Sequence, residues 1–286
     1  MKSAIICGCA LFLPLLWAEE TPKDIPAQEG WKMVWNDEFE KPGEPDPKKW
    51  TYEEGLVRNN ESQHYVNNSR NNARVEDGVL IIEARKEKVK NPDYDASAKK
   101  SDWKKSREFS DYSSASLTTE GRMAMKYGKI EVRAKLPSGK GSWPAIWMLG
   151  TNRPQVGWPK CGEIDIMEYV TSEPNTSHAT LHWWPEASKH KSKGTKTKNT
   201  TLVSDFHVYG MEWDEKMIKF TLDGKPYGSI NLKDADLSDG SNAFRKPFYL
   251  LLNFALGGSW GGPVSGDDFP RQYLIDYVRV YEKAEK

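Results

Sequence analysis

Hydrophobic and polar side chains alternate with a period of two along several segments of the chain. Residues 129–135 (Lys-Ile-Glu-Val-Arg-Ala-Lys) follow this pattern strictly, which is typical of a strand with one buried face. No segment shows the apolar spacing of a long helix, and residues 233–244 are expected to form a short helical turn at most. Four further segments are rich in β-branched, aromatic and aliphatic side chains and predict strands: residues 79–84, 216–222, 248–256 and 273–281.

Turn signals separate these strands. Asp223-Gly224 lies between two strand segments and predicts a tight hairpin turn, and Asp77-Gly78 is a similar signal before residue 79. Many short strands without intervening helices predict an all-β fold, an antiparallel sandwich or barrel. Since no repeat or second linker interrupts the chain, we expect a single domain at residues 31–283.

The first thirty residues have a different pattern. Lys2 precedes an apolar run at residues 4–17, which is too short to span a bilayer but matches a secretory signal peptide at residues 1–18, cleaved after Ala18. Residues 19–30 are then a linker. A lipoprotein anchor on Cys9 is the weaker interpretation, because little apolar chain precedes it. We therefore expect a secreted or periplasmic protein without a membrane span.

Export would leave a single cysteine. Cleavage removes Cys7 and Cys9, so Cys161 has no partner for an internal disulfide and the fold must depend on packing. A nucleophilic role would need a paired base, which the sequence does not indicate. We expect Cys161 to be a small buried residue.

Composition changes this picture in two ways. The 286 residues contain 41 Lys+Arg and 41 Asp+Glu, so no net field attracts nucleic acid or an anionic membrane. The 12 Trp, 12 Tyr and 9 Phe are unusual, and such flat side chains either fill cores or bind sugar rings. Two charged segments, residues 86–107 and 189–198, predict solvated loops. The second could instead form a basic rim for an anionic substrate.

Three acidic residues interrupt an Ile- and Met-rich segment. Glu163 and Asp165 are two positions apart, so on a strand their side chains share one face. Glu168 follows three positions later and would point to the other face of a regular strand. One extra residue, accommodated as a β-bulge at Ile166-Met167, returns it to the carboxylate face.

Such a trio of carboxylates indicates acid–base chemistry. Mutual repulsion raises the pKa of at least one of them. A carboxyl group with a raised pKa can serve as the acid of glycoside hydrolysis, and one with an ordinary pKa can serve as the nucleophile. The spacing favours a mechanism that retains the anomeric configuration, but it does not exclude one that inverts it. An acidic solvent-facing strand or a calcium site is the alternative. Nearby tryptophans favour hydrolysis: residues 143–147 (Trp-Pro-Ala-Ile-Trp), Trp158 and Trp260 in the glycine-rich residues 257–262.

With these motifs, the sequence resembles glycoside hydrolase family 16, in particular its laminarinase-like endo-β-1,3-glucanases. The resemblance implies a β-jelly roll with an open concave cleft, suited to cutting within a long chain. It covers nearly the whole mature chain and is carried by residues 31–39 (Trp-Lys-Met-Val-Trp-Asn-Asp-Glu-Phe), 59–63 (Asn-Asn-Glu-Ser-Gln), 136–149, 163–168 (Glu-Ile-Asp-Ile-Met-Glu) and 276–281.

The resemblance also implies roles for individual residues. Glu163 would be the nucleophile, Glu168 the general acid/base and Asp165 the assisting carboxylate, with His182 hydrogen-bonded near them from the next strand. A lone histidine is more often structural. The residues implied to bind substrate are Asn60, Trp143, Trp147 and Trp260.

Two further features concern metal and specificity. Some family members bind a structural calcium, for which Glu38, Gly78 and Asp276 are the corresponding residues; ordinary turn and capping roles are the alternative. Catalysis itself would need no cofactor. Residues 113–116 read Ser-Ser-Ala-Ser, where many laminarinases have Thr-Ser-Ala-Arg, so a substrate-contacting arginine is expected to be missing.

Three functions are compatible with this pattern. The first is a secreted, endo-acting, retaining hydrolase of β-1,3-glucan or mixed-linkage β-glucan, acting as a monomer on a polysaccharide, without a nucleic-acid partner. The second is a non-catalytic β-glucan-binding protein of the same fold, which the presence of both glutamates disfavours. The third is a hydrolase of agarose, carrageenan or another galactan.

Overall fold

A computed structural model describes residues 25–67, 69–185 and 190–285. The predicted signal peptide, the first part of the linker and Lys189 lie outside the described residues. Two large β-sheets dominate the described chain, so the predicted all-β class is confirmed. The strands are β1 (Trp31–Asp37), β2 (Thr51–Tyr52), β3 (Gln63–Tyr65), β4 (Ala73–Glu76), β5 (Val79–Lys90), β6 (Phe109–Ser114), β7 (Ser116–Thr118), β8 (Gly128–Lys135), β9 (Ser142–Gly150), β10 (Glu163–Glu168), β11 (Thr176–Trp183), β12 (Lys191–Lys198), β13 (His207–Trp213), β14 (Met217–Leu222), β15 (Lys225–Asn231), β16 (Phe248–Leu256) and β17 (Arg271–Lys283).

The strands form a ten-stranded and a seven-stranded sheet. The larger has the order β15-β14-β13-β8-β17-β5-β6-β3, with β1 also paired to β17 and β4 to β5. The smaller has the order β12-β11-β10-β9-β16-β7-β2. Pairing is antiparallel except between β3 and β6. This is the layered arrangement of the predicted β-sandwich jelly roll.

Alternation along the strands builds the core between the sheets. Ile130 and Val132 of β8 are fully buried from the larger sheet, and Ile146 of β9 and Ile164 of β10 belong to the same core cluster from the smaller one. Burial of these aliphatic side chains is the main stabilising contribution, at roughly 25 cal/mol per Å² of apolar surface.

The other face of the smaller sheet is also covered. Trp147 and Leu149 of β9 form a second apolar cluster with Tyr249 and Leu251 of β16, separate from the main core. This explains why every residue of β9 and β16 is buried. Cys161 completes the cluster as a fully buried free thiol, as expected.

Both predicted tight turns are confirmed. Leu222 pairs with Lys225, so Asp223-Gly224 is a two-residue hairpin loop, with φ angles of 51° and 71°. Positive φ at both positions is the requirement of the turn type that matches the twist of a hairpin. Asp77-Gly78 connects β4 to β5 in the same way, with φ angles of 51° and 72°.

Helical structure is limited to single turns in the described chain. The predicted helical segment 233–244 holds two separate 3₁₀ turns at its ends rather than one helix. The glycine-rich segment around Trp260 contains one turn, which presents this side chain at the end of β16. The helical turns are α1 (Trp103–Ser106), α2 (Arg153–Val156), α3 (Gly258–Gly261) and the 3₁₀ turns Leu232–Ala235 and Ala243–Arg245.

The loop prediction for the two charged segments was wrong in part. Residues 191–198 form β12, which pairs with β11 along its whole length as the edge of the smaller sheet. Residues 86–90 continue β5. These polar residues form strands because a neighbouring strand offers hydrogen bonds to their backbone, and strand propensity depends strongly on such context. Exposed lysines on an edge strand also prevent pairing with other chains.

Candidate active site

A bulge in β10 brings the three acidic residues to one face. On β9 the partners of Asp165 and Glu168 are two positions apart, whereas the two acids themselves are three apart. The extra residue is accommodated at Ile166-Met167, where both side chains enter the main core. Glu163, Asp165 and Glu168 consequently line a single cavity of about 250 Å³. The bulge predicted from the spacing is therefore confirmed.

Each glutamate accepts a hydrogen bond from a different tryptophan. Trp158 Nε1 donates to Glu163 Oε2 over 2.8 Å, and Trp143 Nε1 donates to Glu168 Oε1 over 3.0 Å. Trp158 lies at the mouth of the cavity and is half exposed, whereas Trp143 is buried beside β10. These contacts fix the direction in which each carboxyl group faces.

Burial and mutual repulsion give the three acids different pKa values. Burial raises the pKa of Glu163, and the neighbouring His182 and the Trp158 hydrogen bond act against this rise. Burial and the charge of Glu163 raise the pKa of Asp165 well above its usual range, and burial with the charges of Asp165 and Glu163 does the same for Glu168. Glu163 is thus favoured as the ionised member, and Glu168 retains its proton to higher pH.

His182 joins this cluster from β11, where it lies directly opposite Glu163. Its Nε2 atom is 3.2 Å from Asp165 Oδ2 and 3.8 Å from Glu163 Oε1. The structure places His182 beside the carboxylates, as predicted. A donor at this point stabilises negative charge on the pair.

Two of the predicted substrate-binding tryptophans line the cavity. Trp147 Nε1 donates to Asn253 Oδ1 over 2.7 Å, which fixes the indole plane. Trp143 packs edge to face against Trp260, with ring centroids 5.7 Å apart, and Trp260 also contacts His178 at 5.0 Å. Trp260 therefore extends the aromatic surface beyond the cavity itself.

Asn60 lies outside the cavity lining. Its side chain is exposed and its Oδ1 atom accepts a hydrogen bond from Arg107 Nη2 over 3.0 Å. The adjacent Asn59 and Glu61 line the cavity instead. The segment around Asn60 thus reaches the cavity, but Asn60 itself does not line it, and a substrate-binding role for Asn60 stays a prediction.

Sequence reasoning missed a guanidinium group in the cleft. Arg58 lies 4.8 Å from the centroid of the Trp147 ring and forms an ion pair with Glu53. Ser116, at the position where an arginine was expected to be missing, donates to the same Glu53 carboxylate over 2.6 Å. The cleft therefore contains an arginine from another part of the chain. The sequence around Arg58 does not indicate this role, because β7 and the segment before β3 come together only in the folded sheet.

The segments of the predicted calcium residues meet beside β17, where β1 ends and β5 begins. Ile275 of β17 pairs with Leu80 of β5, and Val278 pairs with Asp37, which brings the segments of all three residues side by side. Arg279 donates to both oxygens of Glu38, over 2.9 and 2.8 Å, and Arg133 Nη1 donates to Asp276 Oδ2 over 2.6 Å. Guanidinium groups supply the positive charge here, which fits a calcium ion poorly. Calcium at Glu38, Gly78 and Asp276 stays a prediction.

The fold and this cluster define a β-sandwich glycoside hydrolase. Residues 60–279 match the family model described as "Glycosyl hydrolases family 16", and the chain belongs to this family. It is 41% identical over 268 residues to the "Beta-glucanase" of Rhodothermus marinus, covering 89% of this chain and 86% of that protein.

Two solved structures show the same similarity in three dimensions. The catalytic domain of an endo-1,3-β-glucanase (laminarinase) from Thermotoga petrophila is 40% identical, with a TM-score of 0.75, over 89% of this chain and 99% of that one. A structure from work on endo-acting O-glycanases, which prominent members of the human gut microbiota express to initiate mucin breakdown, is 42% identical, with a TM-score of 0.84, over 93% and 95%. Within the described residues, no helix is both long and apolar enough to cross a bilayer.

Proposed function

We propose that this protein is an endo-acting, retaining hydrolase of β-1,3-glucan, with mixed-linkage β-glucan as a related substrate. The observation that carries the proposal is the bulge in β10, which puts Glu168 in the same tryptophan-lined cavity as Glu163 and Asp165. The similarity to the structure of an endo-1,3-β-glucanase supports β-1,3-glucan as the substrate. Intact glutamates, each with a tryptophan donor, favour catalysis over glucan binding alone.

In the first step, Glu163 attacks the anomeric carbon and forms a glycosyl ester with the enzyme. Glu168 gives its proton to the glycosidic oxygen, so the leaving chain departs as a neutral alcohol. The raised pKa of Glu168 keeps this proton available near neutral pH. The donor at His182 Nε2 stabilises the charge that Glu163 and Asp165 share.

In the second step, water hydrolyses the ester. Glu168, now ionised, accepts a proton from the attacking water, and the bond between the anomeric carbon and Glu163 breaks. Both residues return to their starting states, and the product keeps the original anomeric configuration. The aromatic surface of Trp143, Trp147 and Trp260 would hold sugar rings on either side of this point.

Two measurements test this proposal. The first is the growth of reducing ends on laminarin and on mixed-linkage β-glucan, with Glu163→Gln as the inactive control. The second is the anomer released first, followed by NMR: we expect the β-anomer. Initial release of the α-anomer would refute retention, and glucan bound without new reducing ends would establish a binding protein instead.

A second substrate class has a specific observation in its favour. The structural similarity to the structure from the mucin O-glycanase work, at a TM-score of 0.84, exceeds that to the laminarinase, at 0.75. Mucin-type glycans, like agarose and carrageenan, contain galactose. The same assay on mucin O-glycans and galactans decides between the classes: cleavage of these substrates, with none of laminarin, would exclude the glucan proposal.

The predicted signal peptide indicates where the protein acts. We infer that the protein is exported and meets its polysaccharide outside the cytoplasm as a monomer. Light scattering of the purified enzyme and detection of the mature chain beginning at Glu19 in culture fractions test these two points.

A further inference from the structure

A second imidazole contacts the nitrogen of His182 that faces away from the carboxylates. His190, the residue immediately before β12, has its Nε2 atom 2.8 Å from His182 Nδ1. His190 is exposed, yet its ring also packs against Trp158, with centroids 4.9 Å apart. Trp158 is the residue that donates to Glu163. His190 thus touches two of the groups that surround the carboxylate pair.

The two imidazoles meet through their edges. Their planes differ by 17°, and their centroids are 5.0 Å apart, while the facing nitrogens are much closer, at 2.8 Å. Rings lying face to face would not bring two nitrogens together in this way. The geometry is that of an in-plane N–H···N hydrogen bond, in which one nitrogen donates and the other accepts.

The direction of this hydrogen bond and the position of the proton on His182 are linked. A neutral imidazole has one N–H and one acceptor nitrogen. If His190 Nε2–H donates to His182 Nδ1, the proton of His182 must be on Nε2. That atom faces Asp165 Oδ2 at 3.2 Å and Glu163 Oε1 at 3.8 Å. Without His190, both tautomers of His182 become accessible, and one of them presents a lone pair to the carboxylates.

We propose that His190 is a positioning residue for hydrolysis, which holds His182 in the tautomer whose Nε2–H faces Asp165 and Glu163. Asp165, His182 and His190 then form a continuous series of polar contacts from the buried acid to the surface: His182 Nε2 lies 3.2 Å from Asp165 Oδ2, and His182 Nδ1 lies 2.8 Å from His190 Nε2. The partner of a functional histidine commonly sets its tautomer and orientation in this way. The proposal rests on the hydrolase activity of this site but not on the identity of the glycan.

Other charges act on the same groups. Glu163, Asp165 and Glu168 all face His182 from β10, and Arg58 and Arg153 lower the pKa of Glu163 from the cleft. These charges are unchanged by a substitution at His190. His190 can itself carry a charge next to His182, so His190→Phe removes that charge together with the hydrogen bond. His190→Gln also removes the charge but keeps a donor, so a pH profile that His190→Gln restores reports the hydrogen bond.

Two variants separate the hydrogen bond from ring packing. His190→Phe keeps a ring against Trp158 but removes the donor, and His190→Gln keeps a donor at nearly the same distance from the backbone. We expect His190→Phe to lower kcat roughly three- to tenfold, with KM within about twofold, because one hydrogen bond is lost. The acid limb of the pH–activity profile of His190→Phe should move to higher pH, since a carboxylate that loses a donor is harder to ionise. His190→Gln should restore both quantities.

The tautomer can be measured directly on the enzyme without substrate. ¹⁵N NMR at mildly alkaline pH should show His182 protonated at Nε2 in the wild type and as a mixture in His190→Phe. This readout remains valid whichever glycan is cleaved, so it separates a failure here from a failure of the proposed substrate. Unchanged kcat and acid limb in His190→Phe, equal losses in both variants, or an unchanged tautomer would each overturn the proposal.

Discussion

Buried carboxylates occur in two regions of this molecule with opposite surroundings. In the larger sheet, where β1 ends beside β17, Glu38 accepts two hydrogen bonds from the guanidinium of Arg279, and both side chains are largely buried. In the cleft of the smaller sheet, Glu163, Asp165 and Glu168 face one another, and the glutamates accept from indole N–H groups. The residue type and the degree of burial are similar, whereas the nearby charge differs.

The difference separates a structural role from a chemical one. A carboxylate paired with a guanidinium holds two strands together, and removing it leaves a buried charge without a partner. Burial, and then the repulsion between carboxylates that face each other, raises the pKa values of Asp165 and Glu168, so a transferable proton is kept to higher pH. Substitutions in the two regions should therefore have opposite effects on activity and stability.

The largest expected effect is on turnover in the cleft. Glu163→Gln and Glu168→Gln should each reduce kcat by about 10³-fold or more, because water replaces a nucleophile or a general acid poorly. The Tm should stay equal or rise, since a source of repulsion is removed. Initial rates and calorimetry measure both quantities, with the exposed Glu282→Gln as the matched control. More than a tenth of wild-type activity in either variant would refute its assigned role.

The reverse result is expected for the Glu38–Arg279 pair beside β17. Glu38→Ala should lower the free energy of unfolding by about 3 kcal/mol, because Arg279 loses its buried partner, and kcat per folded molecule should not change. Denaturant unfolding is the measurement. Glu212→Ala, which breaks the exposed pair with Lys219, is the control and should cost about 0.5 kcal/mol or less.

The same unfolding experiment tests the predicted calcium site beside β17. Wild type and Glu38→Ala are compared in EDTA and in calcium. If the two differ equally in both buffers, the guanidinium pair carries the stability. A difference that exists only with calcium present would assign Glu38 to a metal site.

The pH profile sharpens the contrast within the cleft. Activity needs Glu163 ionised and Glu168 protonated, so kcat/KM should fall as pH drops through the pKa of Glu163 and again as pH rises through that of Glu168. Asp165→Asn removes a charge that raises the pKa of Glu168, so the alkaline limb should move to lower pH. An alkaline limb that stays in place would show that Asp165 does not act on Glu168.

The smallest expected effect concerns the aromatic surface. Trp143→Ala should raise KM roughly tenfold, because a stacking surface is lost. Trp143→Phe retains a ring but not the N–H that donates to Glu168, so it should change the alkaline limb more than KM. Steady-state kinetics on the cleaved glycan compare the two variants. An unchanged KM in Trp143→Ala would contradict a stacking role.

Much of the fold followed from local patterns. Residues 248–256 were predicted as a strand and form β16 with those limits, and both Asp-Gly turns formed as predicted. The segment 191–198 did not follow its local pattern, because its strand exists only through pairing with β11. Within the site, Arg58 and His190 carry no signal in their own surroundings, and only the folded sheet brings them to the acids. Trp158 was noted near the acids in the sequence, but its hydrogen bond to Glu163 is seen only in the fold.

The sequence by itself determined the two-residue and three-residue spacing of Glu163, Asp165 and Glu168. In a strand, that spacing leaves a bulge as the simplest way to place all three on one face, because side chains alternate between faces. The tertiary structure decided the contacts around these acids: His182 of β11 opposite Glu163, the two indole donors, and the guanidinium of Arg58, which follows β2. Chain geometry fixes contacts between near neighbours, whereas contacts between distant segments depend on the order and register of strands in the sheets.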